Sequence, residues 1–340
     1  MPLVSVLMPI KGDCPYIQFA IQSVRLQSFK DWELVICSDL IDESTARFLA
    51  DLVELDTRIK IVDTVGLALP SALNEGLAGC FGEFIARFDA DDIMLPERLH
   101  NQVRFLQENP DYVACGGQVV IIDENQKLAL AAPYYNLHDW ALKRKMNYKC
   151  PFPHPASTIR TRALREARGY SPQYKFAEDY ELWMRLSNFG RFANLKNTVL
   201  AYRTYASQTS ARFRAETRLY MAKALVENLR SEEKSINPDH IPVTADSFQE
   251  QYLLLDEPKK ALVDKYYKHD PFLSDLLRKS TSIRPEKRLL KGYFDFISSV
   301  PRRLAHMILR LLVSAHSFVV IRPVWKSYII RLHLESTPSK

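Results

Sequence analysis

Apolar runs alternate with amphipathic stretches over residues 3–88. The runs predict buried strands, and the stretches, in which apolar residues recur every three or four positions, predict helices with one buried face. The predicted strands are 3–9, 32–37, 59–62 and 84–88, and the predicted helices are 16–29, 44–55 and 69–78. This order favours an α/β fold with a mainly parallel central sheet flanked by helices.

Three residues stand at or just after the predicted ends of these strands: Pro9, Asp39 and Asp89. Parallel strands end at the same edge of a sheet, and ligands bind outside their carboxyl ends. We therefore expect the three residues to share one crevice.

Three carboxylates crowd into the segment RFDADD, which runs from Arg87 to Asp92. Acids so close together repel one another, and Mg²⁺ or Mn²⁺, which take oxygen ligands from protein carboxylates and substrate phosphates, relieve that repulsion. The cluster therefore indicates a metal–diphosphate site. The alternative interpretation is a solvated acidic turn that also caps the helix predicted to begin near Glu97.

A second pair of acids, Glu178 and Asp179, begins a predicted helix in which Asp179, Trp183 and Leu186 share one face. The helix macrodipole favours an ionised carboxylate in the first turn, and an ionised acid can accept a proton. The pair is thus a candidate for general-base catalysis. Acids at a helix start also occur simply as charge complementation of the terminus, and that alternative stays open here.

Four segments read in order like family 2 glycosyltransferases of the GT-A fold: VSVLMPIKG, SVRLQSFKDWELVICSD, GLALPSALNEGLAGCFGEFIARFDADD and HPASTIRTRALREARGYSPQYKFAEDYELWMRL. The chain resembles this family over about residues 3–210. The resemblance implies a Rossmann-like GT-A fold and an inverting transfer of a sugar from a nucleotide-diphosphate sugar to a hydroxyl acceptor. No Q-x-x-R-W segment occurs in the sequence, so a non-processive enzyme is expected.

The resemblance implies a donor-binding role for several residues. Asp39 resembles the acid that binds the donor base, and Asn74 and Arg87 resemble residues that flank the nucleotide and its phosphates. Pro9 belongs to the same crevice, and Arg203 lies in a segment that resembles the one closing over the diphosphate.

The resemblance also implies the metal ligands, Mn²⁺ or Mg²⁺ being the expected cofactor. Asp91 resembles the usual ligand, and Asp89 resembles its partner, which contacts the nucleotide or reaches the metal through water. A capping role is at least as good an explanation of Asp92.

On the acceptor side, the resemblance implies that Asp179 is the catalytic base. Glu178 is either part of the same pair or a contact to an acceptor hydroxyl. His154 and Trp183 are assigned to the acceptor side of the cleft, His154 with the alternative that it is a turn histidine without a chemical role.

Three positions depart from the family pattern. Ser38 stands where a second acid is common, Lys11 where a small polar residue is more usual, and Tyr205 where a histidine is common. Ser38 and Lys11 leave the donor open, and Ser38 and Tyr205 support the alternative of a membrane adaptor with a degenerate transferase domain. A nucleotidyltransferase of similar sheet architecture is a further alternative, but its glycine-rich, basic loop after the first strand is missing.

The charge of the chain is concentrated at its end. The net charge is +6, but residues 278–340 carry 13 Lys or Arg against 3 acids, and the remainder carries 33 against 37. Within this part, 302–321 and 322–332 have the periodicity of amphipathic basic helices, which suit an anionic membrane surface. Docking on the catalytic domain or a second subunit is the alternative. Nucleic acid is not expected, because no binding motif accompanies the charge.

The expected organisation is a catalytic domain at 1–230, a linker at 231–247 and a basic helical extension at 248–340. Within the catalytic domain, 1–123 binds the nucleotide and 124–230 the acceptor, possible acceptors including a lipid-linked saccharide. The five cysteines show no paired metal spacing, and the apolar start lacks the features of a signal peptide. We therefore expect a cytoplasmic protein, peripheral on the inner face of the cell membrane.

Overall fold

The four strands predicted from apolar runs form the parallel half of a nine-stranded sheet. The computed structural model describes residues 1–131, 138–205, 213–231, 252, 255 and 257–267. The first elements are β1 (Val4–Lys11), α1 (Ile17–Arg25), β2 (Trp32–Asp39), α2 (Glu43–Leu55), β3 (Ile59–Asp63), α3 (Leu69–Ala78) and β4 (Phe84–Arg87). The strands pair in the order β3-β2-β1-β4, all parallel. The predicted alternation is confirmed, with the bounds of α3 as predicted.

Local sequence explains these elements. Every residue of β2 is buried, as expected for a parallel strand covered on both faces. The apolar positions of α1, which recur three and four residues apart, form its buried face. β1 continues through Pro9 to Lys11, so Pro9 lies inside the strand and does not close it.

The second half of the sheet is mixed. Its strands are β5 (Ile93–Met94), β6 (Tyr112–Ile122), β7 (Leu128–Ala131), β8 (Thr158–Arg160) and β9 (Arg191–Arg203). β8 pairs antiparallel with both β4 and β6, β6 pairs parallel with β9, and β5 and β7 are antiparallel additions to β9 and β6. The sheet is therefore parallel over its first four strands and changes direction where β4 meets β8.

The remaining helices cover this sheet and support the later strands. They are α4 (Arg98–Glu108), α5 (Asp139–Lys145), α6 (Thr161–Glu166), α7 (Glu178–Leu186), α8 (Arg214–Ser231) and α9 (Glu257–Tyr267), and a 3₁₀ turn covers His154–Ala156. Buried side chains form two large clusters, because alternate residues of β1 and β2 point to opposite faces. The thiols of Cys37 and Cys80 are core residues, as predicted.

Part of the predicted C-terminal region packs against the first 230 residues. Tyr252, Leu255 and Val263 are buried in the same cluster as residues of α7 and α8. The two predicted amphipathic helices, 302–321 and 322–332, lie outside the described residues, so the proposed division into domains stays a prediction. None of the helices in the described part of the chain is both long and apolar enough to span a bilayer.

Candidate active site

Two groups of acids that are far apart in the sequence line one cavity of about 580 Å³. Asp89 and Asp91 reach it from the loop after β4, and Glu178 and Asp179 reach it from the first turn of α7. The cavity lies where the sheet changes from parallel to antiparallel pairing. The two candidate chemistries that the sequence indicates separately therefore meet in one place.

The acids after β4 form a tight cluster. Carboxylate oxygens of Asp89, Asp91 and Asp92 lie within 4.8 Å of one another. Burial and the charge of Asp89 raise the pKa of Asp91 to about 6. The Oδ2 atom of Asp92 is buried without a hydrogen-bond partner among the described residues. A set of hard oxygen donors, one of them buried and unsatisfied, fits Mg²⁺ or Mn²⁺.

Asp92, the last acid of this cluster, is not solvated. Asp92 is only 1% exposed, and its Oδ1 accepts a hydrogen bond from the backbone N–H of Arg203 at 2.8 Å. Helix α4 begins at Arg98, and Glu97 before it makes no capping bond with its side chain. The predicted capping role of Asp92 is therefore wrong, because this carboxylate holds the end of β9.

Residues at the end of β9 and just after it hold the loop of Asp91 in place. The Arg203 guanidinium donates from Nε to the Asp91 carbonyl at 2.7 Å and stacks on the ring of Tyr16, 3.9 Å from its centroid. The Tyr205 hydroxyl donates to Asp91 Oδ2 at 2.8 Å. Arg203 is fully buried and does not line the cavity, so the phosphate contact predicted for it stays a prediction.

Arg87 provides positive charge between the two acid groups. Its buried guanidinium forms an ion pair with Asp89 and lines the cavity. Burial lowers the pKa of Arg87, but the carboxylates of Asp89 and Glu178 more than offset this and raise it above the usual value. Its Nε atom is buried without a hydrogen-bond partner among the described residues. A guanidinium in the cavity wall suits an anionic ligand.

Asp179 is a half-buried carboxylate held by two donors. Oδ1 accepts the backbone N–H of Tyr180 at 2.7 Å, and Oδ2 accepts the thiol of Cys150 at 3.2 Å. Burial raises the pKa of Asp179, and the two donors oppose that rise. Burial and the adjacent charge of Asp179 raise the pKa of Glu178 to about 8. Such poorly solvated carboxylates are better proton acceptors than exposed ones.

The two residues predicted for the acceptor side differ in whether they line the cavity. His154 lines the cavity, and its Nε2 lies 2.9 Å from the Tyr170 hydroxyl. Burial and Arg87 lower the pKa of His154 well below its usual value, so the ring is neutral. Trp183 is fully buried behind the wall, with its ring 4.9 Å from that of Phe152, and therefore supports the cavity without lining it.

Asp39 lies at the end of β2 and does not line this cavity. Its Oδ2 forms an ion pair with Lys11 Nζ at 2.5 Å, and its Oδ1 accepts the backbone N–H of Gly66 at 3.0 Å. Burial raises the pKa of Asp39, but these donors outweigh it and lower the pKa, which keeps the carboxylate ionised. The predicted contact with the donor base stays a prediction for Asp39, and so does the role of Pro9.

The side chain of Asn74 makes hydrogen bonds within the protein. Its Nδ2 donates to the Tyr170 carbonyl at 2.7 Å, and its Oδ1 accepts the Tyr170 backbone N–H at 2.8 Å. Gly169, with φ of 66°, makes the turn that presents this backbone. Asn74 thus ties α3 to the segment before α7, and its predicted contact with the nucleotide stays a prediction.

The cavity wall also contains residues to which the sequence assigns no individual role. They are Cys150 and the lysines at 145, 149 and 175. The contact of Cys150 with Asp179 depends on folding, because 29 residues separate the two.

Sequence comparisons agree with this architecture. The family model described as Glycosyl transferase family 2 matches residues 5–168. A glycosyltransferase of Haemophilus influenzae, described as uncharacterized, is 30% identical over 238 residues, which cover 67% of this chain and 73% of that protein. The O-antigen biosynthesis glycosyltransferase WbnJ of Escherichia coli is 30% identical over 213 residues, which cover 62% of this chain and 82% of WbnJ.

The fold is similar to that of S. aureus TarS. The structure of TarS 1–349 in complex with UDP-GlcNAc has a TM-score of 0.59 and 17% identity, and the match covers 82% of this chain and 88% of that one. The chain spans 55% of a longer TarS structure. At this identity the likeness concerns the fold, which is the GT-A fold expected from the sequence. Together with the 30% identical relatives and the family model, it leads to one conclusion: the chain belongs to glycosyl transferase family 2.

Proposed function

We propose that this protein is an inverting glycosyltransferase that moves a sugar from a nucleotide-diphosphate sugar to a hydroxyl group of an acceptor. The observation that carries the proposal is the convergence of the Asp89–Asp91 cluster and the Glu178–Asp179 pair on one cavity. One group suits a metal and a diphosphate, and the other suits a proton transfer. A sugar held between them would have its leaving group and its attacking oxygen on opposite sides.

On the donor side, acidic and basic side chains bind different parts of the nucleotide sugar. Asp39 accepts N–H donors of the base, and the guanidinium of Arg87 contacts the phosphates. Asp91, with Asp89, would hold Mn²⁺ or Mg²⁺. When bound, the metal stabilises negative charge on the departing diphosphate as a Lewis acid.

On the acceptor side, Asp179 acts as the general base. The acceptor oxygen forms a bond to the anomeric carbon as the bond from that carbon to the diphosphate oxygen breaks, which inverts the configuration. The hydroxyl proton passes to Asp179 and the electron pair of the broken bond leaves with the diphosphate. Glu178 either belongs to the same catalytic pair or binds an acceptor hydroxyl.

The cellular role we propose is the synthesis of a cell-surface polysaccharide or glycolipid at the cytoplasmic face of the membrane. WbnJ, by its name, acts in O-antigen biosynthesis, and the basic region 278–340 offers a means of binding anionic lipids. A lipid-linked saccharide is a suitable acceptor for a peripheral enzyme of this kind.

The test is a panel of nucleotide-sugar donors with Mn²⁺, screened by thermal shift and then by release of the nucleotide diphosphate. The Asp91→Ala and Asp179→Asn variants should each lose about 10²-fold or more in turnover, Asp179→Asn with unchanged donor binding. Asp51→Asn, an exposed acid of α2, is the control. Failure of every donor to bind, or full turnover by Asp179→Asn, would refute the proposal.

A further inference from the structure

Three lysines line the same cavity as the acids, and no step proposed above uses them. Lys145 ends α5, Lys149 follows it just before Cys150, and Lys175 stands before the first turn of α7. Lys149 and Lys175 are exposed, and Lys145 is half-buried. A cavity that presents three ammonium groups from two separate segments attracts anions.

The lysines belong to the end of the cavity that holds Asp179. The Lys145 ammonium donates to the Pro151 carbonyl at 2.9 Å, and Pro151 directly follows Cys150, whose thiol contacts Asp179. Lys175 directly precedes Phe176, and that ring stacks on Phe213 next to α8. Lys145 and Lys149 thus stand just before Cys150, whose thiol contacts the proposed base, and Lys175 stands three residues before Glu178.

The opposite end of the cavity has its own charged neighbours. Asp91 is bonded by Tyr205, and Asp89 is paired with Arg87. Burial and the charge of Asp89 affect the pKa of Asp91 most, followed by the hydroxyl of Tyr205. The donor diphosphate is expected at this end of the cavity, beside Arg87 and the acid cluster.

The electrostatic state of Lys145 agrees with an anion subsite. Burial, together with the charge of Lys149, lowers the pKa of Lys145 to about 8, while Cys150 acts in the opposite direction. Repulsion between neighbouring ammonium groups costs free energy, and a bound anion would offset that cost. Glu178 and Asp179 face the same space, but they belong to the reaction itself.

We propose that the acceptor carries a phosphate group, bound by Lys145, Lys149 and Lys175 while the acceptor hydroxyl faces Asp179. This inference rests on the proposed function and names its acceptor class. Lysine is a flexible point charge suited to a compact phosphate, whereas planar carboxylates are recognised best by the fork of arginine. The phosphate can belong to a lipid headgroup or to a soluble polyol phosphate.

The experiment measures the binding of two phosphate probes to the full chain. The protein is first saturated with Mg²⁺ and with the nucleotide diphosphate that binds it best. If no nucleotide diphosphate binds, the free protein is used. Glycerol 1-phosphate represents the soluble source, and octyl phosphate represents the lipid source. Glycerol is the neutral comparison. The variant Lys149→Glu/Lys175→Glu changes two exposed residues, and Lys196→Glu, an exposed lysine of β9 outside the cavity wall, is the matched control.

We expect the phosphate probes, but not glycerol, to bind the wild type, and the double variant to bind them roughly tenfold or more weakly. Lys196→Glu should bind as the wild type does. Tighter binding of octyl phosphate than of glycerol 1-phosphate supports a lipid source, and the reverse supports a soluble one.

Three results would overturn the inference: no probe binding by the wild type, equal binding by wild type and double variant, or binding to the free protein that saturating nucleotide abolishes, which would assign the lysines to the donor diphosphate. Donor binding and nucleotide release by the wild type are measured separately. If these fail as well, the proposed function is wrong; if they succeed, only the acceptor class is wrong.

Discussion

The chemistry of the cavity depends on how single carboxylates are solvated and paired. Residue types and spacing make Asp89, Asp91, Glu178 and Asp179 candidates for the reactive acids, and the family resemblance favours that interpretation over a solvated turn or charge complementation of a helix start. Their partners are not predictable in this way. The Cys150 thiol that contacts Asp179 comes from 29 residues earlier in the chain and meets it only after folding.

The thiol of Cys150 should lower the pH at which the proposed base becomes active. It donates to Asp179 Oδ2, and a donor to the charged form lowers a carboxyl pKa. Cys150→Ala should therefore raise the pKa of Asp179 and move the acid limb of the kcat/KM profile upward by about half a pH unit to one unit. The rate should fall near pH 6 and stay unchanged near pH 9, and Cys150→Ser should retain the wild-type limb. Identical profiles for all three proteins would show that the thiol does not affect the base.

Glu178 should make the protein less stable as pH rises. Its pKa is about 8 in the folded protein because of burial and the charge of Asp179, well above the usual carboxyl value, so the folded state binds the proton more tightly than the unfolded state. The stability lost by ionisation therefore accumulates between about pH 4.5 and 8 and is complete above that range.

Glu178→Gln removes this ionisation. The variant should be more stable than the wild type by about 5 kcal/mol at pH 9, with little difference at pH 4. Urea denaturation at both pH values measures the effect, and Glu54→Gln, an exposed acid of α2, is the control. A stability difference that does not change with pH would contradict the assignment.

At the scale of elements, the parallel and mixed halves of the sheet differ in how far sequence predicts them. The strands up to β4 are apolar runs separated by amphipathic helices, and both periods are visible. β5 and β8 have two and three residues, too few for a period, and their pairing depends on distant partners. The cavity forms beside these short strands, so its detailed shape could not be predicted from local pattern.

Arg98 of α4 joins the two halves at this point. The fully buried guanidinium donates to the carbonyls of Arg87, Pro155 and Ser157, at 2.7, 2.5 and 3.0 Å. It thus connects the end of β4 to the 3₁₀ turn that carries His154.

Arg98→Met should reduce the free energy of unfolding by about 3–5 kcal/mol, because it leaves buried carbonyls without their donor. Arg98→Lys should recover only part, since an ammonium cannot reach three acceptors in the fixed planar geometry of a guanidinium. Denaturant titration measures both. Arg104→Met, on the exposed side of the same helix, is the control and should reduce the free energy of unfolding by less than about 1 kcal/mol. An equally small loss in Arg98→Met would show that Arg98 does not hold the two halves together.

At the scale of the whole molecule, the site lies where the parallel half of the sheet meets the mixed half, beside α7, the helix that carries the proposed base. The junction brings together RFDADD and the start of α7, which are about 90 residues apart along the sequence. Periodicity predicts the first half, and the family resemblance predicts that the second half supplies the base. The basic region 278–340 is defined by its charge and periodicity alone.

That region should make membrane binding depend on salt. Residues 293–340 carry 7 Lys or Arg against 2 acids, and each basic residue near an anionic surface contributes about 1 kcal/mol. The full chain should float with anionic liposomes at low ionic strength and much less at 0.5 M salt, where the Debye length is about 4 Å. Zwitterionic liposomes should bind it weakly at either salt concentration. Deletion after Gly292 should abolish flotation, because it removes both predicted amphipathic helices; a truncated protein that still floats would place the membrane contact on the catalytic domain.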